Sequence, residues 1–143
     1  MKPWINTLVA VSVVLLAGCA SSMQAGGSSV RVHYLEIVCN DVDAHCAALE
    51  RVHGISFGDK VADLGQARVA GAPDGSLVGV RSPLAEHEQP IVRTYVAVED
   101  IALAIKDAEA AGGTVAYPPT KQGDTGTWAI YILGDVQYGL WQR

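Results

Sequence analysis

The sequence contains no run of basic residues, and charged residues make up only 17% of it. Ten Lys and Arg stand against fifteen Asp and Glu, which gives a formal net charge of −5. Nucleic-acid binding needs clustered cations that neutralise phosphates, so no nucleic acid is expected as a partner. Half of the 143 residues are hydrophobic, which suffices for one compact domain with a sizeable core.

The start of the chain also lacks a membrane-spanning length of apolar sequence. The apolar run at residues 8–17 has ten residues, too few to cross a bilayer as a stable helix, and after Lys2 it suits a signal peptide. It ends in Leu16-Ala17-Gly18-Cys19, which resembles the lipobox of bacterial lipoproteins. That resemblance implies cleavage before Cys19 and lipidation of this residue. The alternative is an ordinary secretory signal that contains a cysteine by chance.

The lipobox resemblance also implies an organisation and a location. Residues 1–18 would be the lipoprotein signal peptide, and the small, polar residues 19–29 a flexible lipidated tether to a domain at 30–143. Several acyl chains anchor a protein stably, so the lipid bilayer is an expected partner. Because Ala20 rather than an acidic residue follows the cysteine, we expect a bacterial cell-envelope protein on the periplasmic face of the outer membrane.

The domain holds two copies of one pattern, at about residues 30–82 and 91–143, joined by a linker loop at 83–90. The copies align when Tyr34 is set against Arg93, 59 residues later. In each copy an alternating strand pattern leads directly into the apolar spacing of an amphipathic helix. The chain therefore repeats one supersecondary unit.

Each predicted helix has a start and a stop signal. Asp41 and Asp100 can cap the first turns, and Gly54 and Gly112-Gly113 can end the helices in the left-handed conformation. The apolar stripes are Val42, Cys46, Leu49 and Val52 in the first helix, and Ile101, Ile105, Ala108 and Ala111 in the second. Strand candidates follow at 66–71, 76–81, 127–133 and 137–142. The pattern predicts an α+β domain of two βαβββ modules whose sheets curve around a shared concavity.

A resemblance to a known family is carried by HYLEIVCNDVDAHCAALERVHGISFGD, TYVAVEDIALAIKDAEAAGGTVAYPP and GTWAIYILGDVQYGLWQR. The region from about residue 30 to 142 resembles the vicinal oxygen chelate superfamily, which includes glyoxalases, bleomycin-resistance proteins and extradiol dioxygenases. The resemblance implies the glyoxalase/bleomycin-resistance fold, in which tandem modules form a curved half-barrel. It leaves open whether the modules close one pocket within a chain or exchange between the two chains of a homodimer.

Metal-dependent members of that superfamily hold a divalent ion at four positions, usually His or Glu. The matching positions here are Tyr34, Gly79, Arg93 and Gly139. Glycine has no side chain that could bind a metal, and the guanidinium group of arginine has no free lone pair to offer one. We therefore expect no metal cofactor. The alternative is a one-residue slip that brings His33 into the site, but it would also turn Glu36 into the core.

Strand alternation predicts which side chains face the concavity. They are Tyr34, Glu36, Arg81, Arg93, Tyr95 and Trp141, with Gln137 as a further candidate. Gly79 and Gly139 are expected to leave space beside them. Arginine among aromatic rings suits a small ligand with a carboxylate, phosphate or enolate. The alternative is that Arg93 pairs with Glu36 and that the rings fill the concavity.

Three functions remain open. The main prediction is a membrane-tethered domain that binds a small anionic or aromatic molecule in its pocket without the usual metal. The alternative is an enzyme of the same fold, glyoxalase-, lyase-, isomerase- or dioxygenase-like, which depends on a metal or uses Glu36 as a base and Arg93 to stabilise an enolate. The third is an envelope interaction protein whose pocket has lost its role.

Cys39 and Cys46 form the last pair of candidates. Cys39 ends the first strand on its core side, and Cys46 lies on the helix stripe that faces it. In an oxidising compartment the two could form a disulfide. The repeat places Val98 and Ile105 at the same positions, which favours two buried thiols that pack as small hydrophobic groups.

Overall fold

A computed structural model describes residues 29–143, so the predicted signal peptide, Cys19 and all but the last residue of the tether lie outside the described part. The strands are β1 (Val32–Val38), β2 (Lys60–Val61), β3 (Ala67–Gly71), β4 (Leu77–Arg81), β5 (Ile91–Ala97), β6 (Thr114–Gln122), β7 (Gly126–Leu133) and β8 (Val136–Gln142). The helices are α1 (Val42–His53) and α2 (Ile101–Ala110), with a 3₁₀ turn at Ala62–Leu64. This order is βαβββ twice, so the predicted fold class is confirmed. Neither α-helix of the described part is long and apolar enough to cross a membrane.

The eight strands form one curled sheet in the order β2-β3-β4-β1-β5-β8-β7-β6. The first strands of the two modules pair antiparallel at its centre, with Tyr34 opposite Tyr95 and Glu36 opposite Arg93. The last strand of each module, β4 or β8, lies parallel beside the first. The two modules therefore close one concavity within a single chain.

The helices begin and end where the sequence predicts. The Asp41 carboxylate accepts a hydrogen bond from the Ala44 amide at 3.0 Å, and Asp100 accepts one from Leu103 at 2.9 Å. Gly54 ends α1 with a φ of 66°, a conformation that side chains with a Cβ rarely adopt. Two stripe residues were wrong: Val52, in the last turn of α1, is 73% exposed, and Ala111 is exposed and follows the last residue of α2.

Both helices cover one side of the sheet, called here the helix face. Cys46 of α1 packs in a cluster with Ile37 and Val80, and Ile105 of α2 packs with Leu140. Cys46 is fully buried, Cys39 packs beside the same cluster, and both are free thiols. Burial raises the pKa of each thiol, so in this structure they pack as small apolar side chains.

The first of the three strands after each helix was not located from the sequence. In module one this strand, β2, has only two residues. In module two β6 contains Pro118 and Pro119, which cannot donate ladder hydrogen bonds. The pairing of β6 with β7 shifts register on both sides of Tyr117, and β6 lies at the sheet edge, where proline is tolerated.

Candidate functional site

The other side of the sheet, called here the cavity face, surrounds a cavity of about 610 Å³. All six predicted pocket residues line it: Tyr34, Glu36, Arg81, Arg93, Tyr95 and Trp141. Gln137 lines it as well. The structure thus brings together the side chains that strand alternation assigned to one face.

Other lining residues were missed. From β6 and β7 come Tyr117, Trp128 and Ile130, and the linker loop adds Leu84, His87 and Glu88 at the mouth. Trp128 and Ile130 lie two residues apart in a predicted strand, so alternation would have placed them on one face. A loop has no such period, and nothing in the sequence indicated where Glu88 points.

Aromatic rings form the floor of the cavity. The ring centroids of Tyr34, Tyr95 and Trp141 lie 5.6 to 5.8 Å from one another, and all three residues are buried. The expectation that Gly79 and Gly139 leave space was wrong. A Cβ at Gly79 would overlap the Tyr34 hydroxyl, and one at Gly139 would overlap the Tyr95 ring. The glycines are needed because the tyrosines lie directly over them.

A buried ion-pair network crosses the cavity face. The Glu36 carboxylate accepts a hydrogen bond from Arg81 Nε at 2.7 Å and another from Arg93 Nη1. The Tyr95 hydroxyl donates to the same carboxylate at 3.2 Å. Glu36, Arg81 and Arg93 are each at most 6% exposed. The structure therefore has the Glu36–Arg93 pair that the sequence analysis gave as its alternative.

The network continues outward from both arginines. Arg81 donates to the two Glu88 oxygens at 2.8 and 2.7 Å, and Arg93 donates to Gln137 Oε1 at 3.1 and 2.7 Å. The hydrogen bonds from Arg81 hold the pKa of Glu88 at about 2. Two guanidinium groups and two carboxylates thus balance one another within the network.

Two donors on the cavity face have no hydrogen-bond partner within residues 29–143. They are the Tyr34 hydroxyl and Trp128 Nε1, both buried at the atom level. Burial, followed by the charge of Glu36, raises the pKa of Tyr34, so the phenol keeps its proton. An unpaired buried donor costs about 1–3 kcal/mol, so such groups call for an explanation.

His33 does not line the cavity. A β-bulge in β1 between Val32 and Tyr34 interrupts the alternation there and places the His33 ring against Trp141, with centroids 5.4 Å apart. The residue is 3% exposed. Burial, then the charges of Arg143 and Arg31, lowers the pKa of His33, which favours a neutral ring packed behind the floor.

The divalent metal of the superfamily that the sequence resembles does not fit the four positions that would hold it. Tyr34 and Tyr95 cover the two glycines, and Arg93 places a cation where a ligand would stand. Both oxygens of Glu36 already accept bonds from guanidinium groups. Among residues 29–143, no three His, Cys, Asp or Glu side chains lie close enough to hold a metal ion. A pocket without a metal cofactor stays a prediction that metal analysis must test.

No protein-family model matches the chain, and no curated protein matches its sequence. Solved structures do. A variant of Streptomyces coelicolor methylmalonyl-CoA epimerase in complex with 2-nitronate-propionyl-CoA matches with a TM-score of 0.58 at 18% identity, over 80% of this chain and 95% of that one. Methylmalonyl-CoA epimerase from Mycobacterium tuberculosis matches with a TM-score of 0.60 at 16% identity, over 78% and 86% of the two chains.

A hypothetical protein from Bacillus halodurans matches with a TM-score of 0.64 at 12% identity, over 80% of this chain and 95% of that one. Identities this low show a shared fold. The epimerases belong to the superfamily that the sequence resembles. The chain therefore has the fold of the vicinal oxygen chelate superfamily.

Proposed function

We propose that the cavity is the functional site and that it binds a small organic molecule. The apolar body of this molecule would lie against the aromatic floor. Its hydrogen-bond acceptors would reach the Tyr34 and Trp128 donors after a small movement of the side chains that bury them. The observation that carries this proposal is the pair of buried donors without a partner. They stand out because Glu36, Arg81 and Arg93, in the same cavity, are all paired.

The size and lining of the cavity support the same proposal. Its volume of about 610 Å³ falls within the roughly 300–1,000 Å³ of small-molecule sites. Apolar and aromatic side chains predominate, and a few polar groups converge on the space, as in most such sites.

For the class of activity, the comparisons favour an enzyme over a binding protein. The two named neighbours are epimerases, and one of them is in complex with an acyl-CoA compound. By analogy, an acyl group would enter this cavity, and the donors of Tyr34 and Trp128 would face its carbonyl oxygen. Donors fixed in a buried site stabilise negative charge that develops on such an oxygen.

The network argues against Glu36 as the base of such an enzyme. Both of its oxygens already accept hydrogen bonds from guanidinium groups, so neither is free to take a proton from a substrate. Arg93 in turn is held by Glu36 and Gln137 and is not free to meet an enolate. The two catalytic candidates of the sequence analysis are therefore assigned here to holding the cavity together.

A binding protein is the second candidate function. The ion-pair network favours a binding protein, because it occupies the carboxylates and guanidinium groups that could otherwise act as acids or bases. Outside the network, the ionisable groups that line the cavity are His87 and tyrosines. In this proposal the domain would capture its ligand while tethered to the outer membrane through lipidated Cys19. The tether remains a prediction, since Cys19 lies outside the described residues.

A ligand screen tests the site. Small carbonyl and aromatic compounds are screened by thermal shift against the purified protein, and hits are titrated by calorimetry. Trp128→Phe should weaken the best hit about three- to tenfold, the worth of one lost neutral hydrogen bond. Trp141→Phe is no control because it lines the cavity, whereas Tyr138→Phe alters a ring stacked on Tyr131 outside it. Equal weakening by Trp128→Phe and Tyr138→Phe would contradict the proposal.

Two further measurements separate the candidate activities. Acyl-CoA thioesters are incubated with the protein in deuterium oxide, and NMR follows exchange of the hydrogen next to the thioester carbonyl. Exchange above the buffer rate supports the enzyme, and binding without exchange supports the binding protein. Metal analysis of protein purified without chelator should give far less than one divalent ion per chain. One full equivalent would contradict the site described here.

A further inference from the structure

Arg81 presents its guanidinium edge to a carboxylate of its own chain. Nη1 and Nη2 donate to the two oxygens of Glu88 at 2.8 and 2.7 Å, the parallel geometry by which arginine binds carboxylates. The Leu84 amide donates to one of these oxygens at 2.7 Å. Arg81 is 5% exposed, so this three-donor site is built into the wall of the cavity.

The Arg81 edge requires an anion. Nη1 also donates to the Ser82 carbonyl, and Nε donates to Glu36, but Nη2 has no partner among the described residues except Glu88. Without Glu88 the network would contain two guanidinium groups and only the Glu36 carboxylate. A single carboxylate from another source would restore the charge balance and the hydrogen bonds together.

Glu88 is the member of the network that can leave. It stands in the linker loop between the modules, outside every strand and helix, and its side chain is 20% exposed, against 6% for Arg81. Leu84, whose backbone amide also donates to the Glu88 carboxylate, is 67% exposed. Arg81, by contrast, is fixed by its position in β4 and by Glu36 behind it.

We infer that the Arg81 edge, together with the Leu84 amide, is a carboxylate-binding subsite of the cavity, which Glu88 fills in this structure. The inference rests on the proposed function and names its ligand class: a small carboxylic acid whose carboxylate exchanges one for one with that of Glu88. Its apolar part then lies over the aromatic floor. Neutral analogues enter the cavity without this exchange.

The test compares acids with their matching amides. Phenylacetate and 4-phenylbutyrate, with phenylacetamide and 4-phenylbutyramide, are titrated into the full-length protein by following tryptophan fluorescence. A Trp4→Phe background leaves Trp128 and Trp141, which both line the cavity, as the only indoles. Glu88→Gln should lower the Kd of the acids about tenfold or more, because the competing internal carboxylate is gone. The Kd of the amides should stay within about twofold.

Glu86→Gln is the matched control. Glu86 stands in the same linker, is exposed and does not line the cavity, so both Kd values should stay as in the parent protein. Acids that gain nothing from Glu88→Gln, while amides still bind, would overturn the subsite and leave the proposed function standing. Failure of both acids and amides to bind any variant would contradict the cavity as a ligand site and this inference with it.

A second measurement serves if Glu88→Gln weakens folding. Glu88→Ala removes the internal carboxylate altogether, and added acetate should then raise the melting temperature more than acetamide with sodium chloride at equal ionic strength. In Glu86→Ala the two additions should act alike. An equal response to acetate in both alanine variants would overturn the inference.

Discussion

Corresponding residues of the two modules are similar on the helix face of the sheet and different on its cavity face. On the helix face the copies remain alike: Cys46 of α1 and Ile105 of α2 occupy the same position, and both are buried between their helix and the sheet. Asp41 and Asp100 cap the two helices in the same way, since each carboxylate accepts a hydrogen bond from the backbone amide three residues later. The helix face is alike in both modules because each must bury the apolar side of one helix against the sheet.

On the cavity face the copies differ at corresponding positions. Glu36 of the first module corresponds to Tyr95 of the second, and Tyr34 corresponds to Arg93. The pairs meet across the centre of the sheet, where Glu36 binds Arg93 and the tyrosine rings pack together. The residues that repeat between the modules therefore build the fold, and the residues that differ between them form the site.

Glu36→Gln should give the largest effect on the cavity face. It would leave Arg81 and Arg93 buried with one carboxylate fewer, which costs about 3–5 kcal/mol of unfolding free energy. Urea unfolding followed by circular dichroism measures the change, with the exposed Glu109→Gln of α2 as control. A loss as small as that of the control would show that the network does not hold the two modules together.

Ile105→Ala tests the helix face. This residue of α2 faces the sheet and is 8% exposed, and removing its buried side chain should cost about 2–4 kcal/mol. Affinity for a cavity ligand should not change, because Ile105 lies on the other side of the sheet. Leu103→Ala, on the exposed side of the same helix, should change neither quantity by much. A loss of affinity with Ile105→Ala would break the separation of the two faces.

Gly79→Ala tests the close packing of the cavity floor. The added Cβ overlaps the Tyr34 hydroxyl, so the ring must move, at a cost of about 1–3 kcal/mol. Gly71→Ala in the neighbouring strand meets nothing closer than Leu77 at 4.0 Å and should be tolerated. Unfolding in urea compares the two variants. Equal stability would mean that Tyr34 does not lie over Gly79.

The smallest effect should be a pH dependence from Glu88. Its pKa of about 2 lies below the ordinary value of 4.5, so its ion pair adds stability above that ordinary value and loses it as the pH falls through about 2. Between about pH 5 and pH 2 the wild type should lose on the order of 1 kcal/mol more unfolding free energy than Glu88→Gln. Identical pH profiles would show that Glu88 is not paired in solution.

Much of the fold can be predicted because the sequence patterns of its helices and strands are periodic. Helix caps, apolar spacing and the 59-residue repeat predict the fold, and alternation along β1 and β5 brings Tyr34, Glu36, Arg93 and Tyr95 to one face. Alternation gives the side of a sheet but no distances. It could not show that tyrosine rings fill the space over Gly79.

The features that could not be predicted are those in segments without a periodic sequence pattern, or those that depend on contacts between distant parts of the chain. Glu88 reaches Arg81 from a linker loop, and no local pattern encodes that contact. The bulge at His33 depends on how β1 pairs with β5, which is a long-range property. The prolines of β6 concealed a strand that tertiary pairing nevertheless forms at the sheet edge.

If the cavity face is built for a ligand, the Tyr34 hydroxyl should matter for binding and not for folding, and the variant Tyr34→Phe measures both. The variant removes one unpaired buried hydroxyl and keeps the ring. The unfolding free energy of the variant should equal or exceed that of the wild type, and its affinity for the best hit of the screen should fall about three- to tenfold. A variant that loses stability and binds the hit as tightly as the wild type would mean that the hydroxyl serves the fold and not a ligand.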